Sequence, residues 1–332
     1  MRFGFFFWPY TPEYTARMAR LGEELGFDLV GIADTPGNAL DPWVAMTLAA
    51  AATSRVPLAT CVTNLVTRHP SITASAAASV DVAAGGRTIL GIGSGHSGVT
   101  NVGGAPTRPA ELRAGITFLR TALSGAPAIW QGAATQLPWV KRPVPVYAAA
   151  SGPAALRAVG ATADGAFVNY GLGAAEVARV RELIGEGAVS TGRSPADVDV
   201  WSIACLDVAE EREAAWAKLG NILGFVAAYI LAPAPEVRGV PAALVPALRE
   251  LRASYTTRQR DMDPALTRRL GLFDYLRTRL AVAGTPDDCV VQVAAAEAAG
   301  VTQLMFTVSL AADPVRTVEL FGRSVLPRFR RG

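Results

Sequence analysis

The sequence predicts an α/β fold, a closed (β/α)₈ barrel with an insertion after the seventh strand. Eight short apolar segments alternate with helical segments, and strands that are apolar throughout are typical of a parallel sheet buried on both faces. The 332 residues are enough for a barrel of this kind in one domain. We predict a single domain over residues 1–332, with the insertion at about residues 206–278. A doubly wound open sheet is the alternative.

The eight predicted strands are apolar runs that follow a turn and precede a helix start. In chain order they are RFGFFFW, FDLVGIAD, PLATCVTN, RTILGIGSG, PVPVYAAA, DGAFVNYG, DVDVWSIACLDV and VTQLMFTVS. Residues 124–140 contain Gly, Pro and Trp and are predicted to form a loop. Residues 210–230 are predicted to form a helix at the start of the insertion.

Capping residues mark the predicted helix starts. Thr11-Pro12, Asp41-Pro42 and Asp313-Pro314 each put a polar N-cap before a proline at the first helical position. Thr285 with Asp288 three residues later predicts a capping box. These local patterns fix where four helices begin.

Composition and charge exclude several classes of protein. The 31 basic and 28 acidic residues leave a net charge of +3 and are scattered, so we expect no nucleic-acid binding. The longest apolar stretch, 219–235, is interrupted by polar residues and too short to span a bilayer, and the N-terminus resembles a strand rather than a signal peptide. Cys61, Cys205 and Cys289 lack metal-ligand spacing. We expect a cytoplasmic protein with reduced thiols, no membrane association and no metal.

The loops that follow the strands are where a barrel of this kind carries its function. In this chain they contain no facing carboxylate pair, no metal-ligand cluster and no serine nucleophile elbow, which argues against hydrolysis and metal catalysis. They suit a flat, largely apolar cofactor that supplies the chemistry. The positions concerned are Asp34-Thr35, Thr63-Asn64, Ser94–Gly98, Ala150–Gly152, Asn169–Gly171, Asp207 and Ser309.

A glycine-rich stretch, 93–98, follows the fourth predicted strand and matches a dinucleotide-binding pattern. It follows the wrong strand, and we predict a loop rather than a helix directly after it, so a dinucleotide site is rejected. The glycines either form a turn with positive φ or let a cofactor ring lie close to the backbone. His96 in this stretch is either structural or the proton-transfer residue, whereas His69 is expected at the surface or as a helix cap.

Ser151-Gly152-Pro153 begins the helix after the fifth predicted strand. Free backbone amides and the helix dipole at such a helix start attract anions. An ordinary N-cap is the alternative.

Several stretches resemble the luciferase-like flavin and deazaflavin oxidoreductases, above all the F420-dependent branch that includes methylenetetrahydromethanopterin reductase and a glucose-6-phosphate dehydrogenase. The resemblance covers nearly the whole chain apart from the insertion. It implies a (β/α)₈ barrel, coenzyme F420 as cofactor with FMN as the alternative, and a homodimer formed through the alanine-rich second and third helices. The stretches that carry it are LGFDLVGIAD, VTNLVTRHPSITA, GGRTILGIGSG, VPVYAAASGPAALRAVGATADG, AGTPDDCVVQVAAAEAAGVTQLMF and ELFGRSVLPRF.

The resemblance also implies roles for individual residues. A bulge with a non-prolyl cis peptide, matching Cys61-Val62, would lie behind the cofactor ring, and the amides of Ser151-Gly152 would hold the tail phosphate. We predict His96, Asp34 and Thr35 as the catalytic residues; the relatives' residues after strands two and four match Asp34-Thr35 and Ser94-Gly95-His96 in position. The remaining predicted cofactor-binding residues are Thr63, Asn64, Ser94, Gly95 and Asn169.

Three departures from the relatives limit what the resemblance implies. Relatives often have an acidic residue where His96 stands, and some have a histidine where Thr35 stands. The lysine that binds the sugar phosphate in the dehydrogenase matches Leu172, so glucose 6-phosphate is not the expected substrate.

The expected reaction is hydride transfer between reduced deazaflavin and an unsaturated small molecule, an imine or an activated alkene, with His96 as proton donor. The reverse reaction, oxidation of an alcohol, would use the same residues and cofactor. Two alternatives remain: a monooxygenase that uses reduced FMN, and a flavin-binding protein without catalytic activity.

Overall fold

The computed structural model describes residues 1–255 and 263–330. Residues 256–262, which belong to the predicted insertion, and residues 331–332 lie outside the described residues. The strands are β1 (Arg2–Phe7), β2 (Leu29–Ile32), β3 (Leu58–Thr60), β4 (Thr63–Asn64), β5 (Thr88–Gly93), β6 (Ala128–Trp130), β7 (Ala133–Thr135), β8 (Val146–Ala150), β9 (Gly165–Val168), β10 (Asp199–Val208), β11 (Ala281–Gly284) and β12 (Gln303–Thr307).

The α-helices alternate with these strands. They are α1 (Pro12–Glu24), α2 (Pro42–Ala52), α3 (Pro70–Ala83), α4 (Ser97–Thr100), α5 (Pro109–Ala122), α6 (Pro153–Thr162), α7 (Ala174–Val189), α8 (Arg212–Ala217), α9 (Leu219–Ile230), α10 (Val245–Ala253), α11 (Leu266–Arg269), α12 (Phe273–Leu280), α13 (Pro286–Ala298) and α14 (Pro314–Leu320). No helix among the described residues is both long enough and apolar enough to cross a membrane.

The eight predicted strands form a closed parallel barrel. The hydrogen-bonded order is β10-β12-β1-β2-β3-β5-β8-β9, and β9 also pairs with β10, so the order returns to its start. This closed order confirms the predicted barrel and rules out the doubly wound sheet. The prediction of one domain over residues 1–332 stays a prediction.

One compact unit comprises Phe6–Val168 and Arg179–Trp201. Its barrel strands are largely buried: side chains such as Leu58, Leu90 and Phe167 are 0% exposed. The predicted helix caps are present: Thr11 accepts a hydrogen bond from the amide of Tyr14 at 3.1 Å, and Asp41 caps α2. All the strand ends that carry predicted catalytic residues lie in this unit.

The second compact unit comprises Met1–Phe5, Asn169–Ala178 and Ser202–Gly332. The insertion contributes most residues of an apolar cluster here, in which Leu223, Leu248 and Leu276 are fully buried. The predicted capping box at the start of α13 is present, since Thr285 and Asp288 each accept a hydrogen bond from the other's amide.

Four local features differ from the sequence-based predictions. The predicted helix 210–230 is divided into α8 and α9. A short helix, α4, follows the glycine-rich stretch directly where a loop was predicted. The predicted loop 124–140 contains the hairpin β6–β7, whose two-residue turn has positive φ at Gln131 and Gly132. Strand β11 was not predicted; it is only four residues long and pairs in parallel with the end of β10.

Candidate active site

A bulge interrupts the third barrel strand. Ala59 pairs with Ile89 of β5, whereas Thr63 pairs with Ile92, so the third strand has one residue more than β5 over this interval. The Thr60 side chain fills the resulting gap in the ladder, since its hydroxyl donates to the Gly91 carbonyl at 2.7 Å and accepts from the Gly91 amide at 2.9 Å. The structure thus has the bulge that the resemblance implied.

Gly91 is required by this bulge. A Cβ on Gly91 would lie 1.9 Å from the Thr60 carbonyl oxygen, far inside van der Waals contact. Neither Thr60 nor Gly91 stands out in the amino-acid sequence as a site residue. Their shared signal, a β-branched hydroxyl residue on one strand and a glycine on the next, becomes informative only when the strand register is known.

The peptide bond between Cys61 and Val62 is cis, as predicted. Cys61 is buried, and burial raises the pKa of its thiol well above the ordinary value. Val62 is partly exposed. The bulge therefore offers an apolar surface rather than a reactive thiolate.

Asp34 lies beside the residue that follows the bulge. The Thr63 hydroxyl donates a 2.7 Å hydrogen bond to Oδ2 of Asp34, and both side chains are buried. Burial raises the pKa of Asp34 above its ordinary value; the Thr63 hydrogen bond and the positive charge of Arg68 act in the opposite direction. Asp34 therefore keeps a proton at higher pH than an exposed aspartate and is a candidate proton donor.

The glycine-rich stretch packs against these two strand ends. A Cβ on Gly98 would lie 2.9 Å from the Asp34 carbonyl oxygen and 3.3 Å from Nδ2 of Asn64. The amide side chain of Asn101 donates to the Pro36 carbonyl at 3.0 Å. The stretch therefore brings its small residues and His96 to the same neighbourhood as Asp34. Gly95 has a φ of 86°, as the turn interpretation required.

His96 precedes α4 and is partly exposed. Its backbone carbonyl accepts hydrogen bonds from the amides of Val99 and Thr100 at 3.0 and 2.7 Å, and its side chain does not cap the helix. The backbone of His96 is therefore fixed while its imidazole is not used for capping. His69, by contrast, caps α3: its Nδ1 accepts from the Ser71 amide at 3.2 Å.

Two predicted site residues have clear structural roles. Oδ1 of Asn64 accepts from the amides of Val66 and Thr67 at 2.9 and 2.8 Å and so holds the turn after β4. Thr35 is buried, and its hydroxyl accepts from Nδ2 of Asn38 at 3.1 Å. Neither interaction prevents contact with a ligand, but each gives the residue a structural role that needs no ligand.

The start of α6 has no side-chain cap. Gly152 is the N-cap residue and Pro153 follows it, so no side chain satisfies the first amides of this helix. Ser151 and Gly152 are both partly exposed. An uncapped, accessible helix start is suited to bind an anion, and the ordinary side-chain N-cap is absent here. Ser94, on the neighbouring strand's loop, is fixed through its carbonyl, which accepts from the Thr107 amide at 2.7 Å.

Two strand-end residues lie in the second compact unit. Asn169 is partly exposed, and its Oδ1 is buried without a hydrogen-bond partner among the described residues. Asp207 is 2% exposed and accepts from the Ala312 amide at 2.9 Å and from the Thr317 hydroxyl at 3.3 Å. Asp207 therefore fixes the start of α14 rather than facing a ligand.

The chain is similar to a known reductase over nearly its whole length and to an F420-dependent dehydrogenase over more than half of it. The 5,10-methylenetetrahydromethanopterin reductase of Methanolobus tindarius is 28% identical, with 98% of this chain and 100% of the relative covered. The F420-dependent glucose-6-phosphate dehydrogenase of Beutenbergia cavernae is 33% identical over 58% of this chain and 63% of the relative.

The fold is similar to that of a solved F420-dependent enzyme. The structure of the coenzyme F420 dependent tetrahydromethanopterin reductase from Methanopyrus kandleri matches with a TM-score of 0.81 and 25% identity and covers 99% of both chains. The sequence profile of the family described as luciferase-like monooxygenase matches residues 2–303. This match includes the bulge, the glycine-rich stretch and the start of α6, and the chain belongs to the luciferase-like family.

Proposed function

We propose that this protein transfers a hydride between reduced coenzyme F420 and a small unsaturated molecule, an imine or an activated alkene, with His96 as the proton donor. The luciferase-like family and the similarity to F420-dependent reductases identify the chain as an oxidoreductase. The observation that carries the finer proposal is the apolar bulge at Cys61-Val62 beside a glycine-rich stretch, a surface on which a planar ring can lie.

The residues of the first compact unit fit the groups of F420. Cys61 and Val62 would lie behind the ring, with Thr63, Ser94 and Gly95 at its edges. The uncapped amides at Ser151-Gly152 would bind the phosphate of the tail, because they have no competing side chain. Asn64 completes the proposed cofactor contacts within this unit. Thr35, next to Asp34, is proposed as a catalytic residue. When bound, F420 supplies the hydride chemistry and does not activate oxygen.

Protonation is left to the protein. When a hydride is added to one end of a double bond, the other end must gain a proton. Histidine as a residue type has an unperturbed pKa near 6.5, which suits a general acid at neutral pH, and the His96 side chain does not cap α4. Asp34, whose pKa burial raises, is the second candidate.

Titration of the purified protein with F420 and with FMN tests this proposal. We expect F420 to bind more tightly, as followed by the fluorescence of the deazaflavin, and its reduced form to be reoxidised by members of a panel of imines and activated alkenes. Submicromolar binding of FMN without binding of F420 would replace the proposal by the reduced-FMN monooxygenase. Binding of F420 without turnover of any panel member would favour a binding protein.

We further propose a homodimer through α2 and α3. Val44, Ile72 and Val82 on these two helices are 56%, 59% and 65% exposed, so both helices offer large apolar side chains to a partner. Light scattering at micromolar concentration should report a dimer for the natural protein and a monomer for Val82→Asp. The matched control is Val291→Asp on α13, a position 70% exposed, which should stay dimeric. A monomeric natural protein would contradict the proposal.

The cytoplasm is the proposed location. Cys61, Cys205 and Cys289 are all free and buried, as is usual for proteins of a reducing compartment.

A further inference from the structure

The carboxyl group of Asp34 is held by one oxygen and open at the other. Oδ2 accepts the 2.7 Å hydrogen bond from the Thr63 hydroxyl. Oδ1 has no hydrogen-bond partner among the described residues, and it does not belong to the partnerless side-chain oxygens that the fold encloses completely. The 7% of Asp34 that remains exposed therefore includes Oδ1.

The backbone of Asp34 is fixed from two sides. The residue follows β2, whose last carbonyl, that of Ile32, accepts a hydrogen bond from the Cys61 amide at 2.7 Å. On another side the glycine-rich stretch lies close, since a Cβ on Gly98 would lie 2.9 Å from the Asp34 carbonyl oxygen. Rotation of the side chain is the freedom that remains to Asp34, and the hydrogen bond from Thr63 removes it.

The bulge in the third barrel strand brings Thr63 to this position. Between Ala59 and Thr63 that strand has one residue more than β5. A shift of one residue reverses the face to which every following side chain of a strand points. The bulge therefore determines that the hydroxyl of Thr63 meets Asp34.

The charged groups near Asp34 act on it less than Thr63 does. Burial raises the pKa of Asp34, and the Thr63 hydrogen bond is the largest of the influences that lower it. Arg68 lowers and Asp41 raises this pKa, but the two form an ion pair with each other and are 30% and 39% exposed, so their charges are partly cancelled and screened. His96 is the titratable residue of the glycine-rich stretch.

We propose that Thr63 is a positioning residue, whose hydroxyl holds Oδ2 of Asp34 so that Oδ1 faces the reacting molecules as the contact oxygen. This inference rests on the proposed function, in which these molecules bind at the ends of the barrel strands. A hydroxyl has one proton to donate, and that of Thr63 is committed to Asp34. Thr63 thus acts on the reaction through Asp34, and a fixed orientation of the contacting group is what rapid transfer requires.

The first test follows the titration of Asp34 without cofactor. In protein labelled with ¹³C at the aspartate carboxyl groups, the Asp34 resonance is identified by its absence from Asp34→Asn. Thr63→Val should raise its titration midpoint by about one to two pH units, because it removes a hydrogen bond to the ionised form. Thr63→Ser keeps the hydroxyl and should keep the midpoint. If Thr63→Val does not fold, Thr63→Ala removes the same hydroxyl and takes its place.

Thr73→Val is the matched control. Thr73 on α3 is 0% exposed, and its hydroxyl has no partner in the part of the chain that the structure describes. This variant removes a buried threonine hydroxyl without removing a hydrogen bond, so the midpoint of Asp34 should stay unchanged. An unchanged midpoint in Thr63→Val as well would overturn the proposal.

The second test measures single-turnover reoxidation of reduced F420. Thr63→Val should lower the rate by about ten- to hundredfold, and Thr63→Ser should restore it to within about threefold. Added to Asp34→Asn, Thr63→Val should have no further effect, because two residues that act as one unit are not additive. An unchanged rate in Thr63→Val, or the same loss in the Asp34→Asn background, would overturn the proposal.

The two tests separate this proposal from the proposed function. The titration needs no F420, so its result does not depend on the cofactor. A raised midpoint in Thr63→Val, together with a natural protein that does not turn over F420, would contradict the proposed function and support the control of Asp34 by Thr63.

Discussion

The His96→Ala variant is expected to lose about 10²–10⁴-fold in turnover while its affinity for F420 stays nearly unchanged. The imidazole is the general acid in the proposed reaction, and alanine cannot supply a proton. The His96 backbone is held by amides of α4, so the glycine-rich stretch should keep its conformation when the side chain is removed. Single-turnover reoxidation of reduced F420 measures the chemical step, and a fluorescence titration measures the affinity.

His69→Ala is the matched control, since it removes the chain's other histidine. His69 caps α3 through a hydrogen bond from the Ser71 amide, so its loss should lower the free energy of unfolding by about 0.5–1 kcal/mol. Turnover should remain close to that of the natural protein. Full activity in His96→Ala, or equal losses in both variants, would remove His96 from the mechanism.

Asp34 is the alternative proton donor, and its surroundings in the structure support that role. Its carboxyl is buried, its pKa is raised by that burial, and the Thr63 hydroxyl fixes its orientation. The pH dependence of turnover distinguishes the two acids. If His96 is the proton donor, the turnover rate of Asp34→Asn decreases as the pH rises through the ordinary histidine range. The residual turnover rate of His96→Ala shows no such decrease.

The closed barrel and the helix starts could be predicted because their causes are local. A polar cap before a proline, as at Asp41-Pro42, acts within one helical turn. An apolar run such as Leu29–Ile32 is recognised from its own residues, without knowledge of its neighbours in the fold. The eight strands were therefore recognised from sequence. The hairpin β6–β7 was missed because its turn uses Gln131-Gly132 rather than the Asn-Gly or Asp-Gly pair that usually marks such turns.

The candidate site was predictable only in part because its geometry depends on contacts between distant residues. The bulge position came from the resemblance, and no local pattern links Thr60 with Gly91, which lie 31 residues apart.

Asp207→Asn is expected to change the pH dependence of stability. Asp207 is 2% exposed, and burial raises the pKa of its carboxyl to about 7, while the hydrogen bonds from Ala312 and Thr317 act in the opposite direction. Between about pH 4 and pH 7 the folded protein therefore holds a proton at this site that the unfolded chain releases. Stability falls with rising pH wherever the folded state binds more protons.

The natural protein should thus lose up to about 4 kcal/mol of unfolding free energy from this site between pH 4 and pH 8, and Asp207→Asn should lack this loss. The neutral side chain keeps an acceptor for the Ala312 amide, so the variant should be the more stable protein at pH 8. Urea unfolding at pH 5 and pH 8 measures both values.

Asp288→Asn provides a control of opposite sign. The ion pair with Arg212 and the hydrogen bonds at the start of α13 hold the pKa of Asp288 below its ordinary value. Its contribution is present above the unfolded pKa, near 4, and is lost only as the pH falls further, so Asp288→Asn should lower stability about equally at pH 5 and pH 8, by about 1 kcal/mol. If Asp207→Asn loses as much stability between pH 5 and pH 8 as the natural protein does, the Asp207 carboxyl of the natural protein is already ionised in the folded state at pH 5. A carboxylate that is charged in both the folded and the unfolded state contributes no pH dependence in that interval.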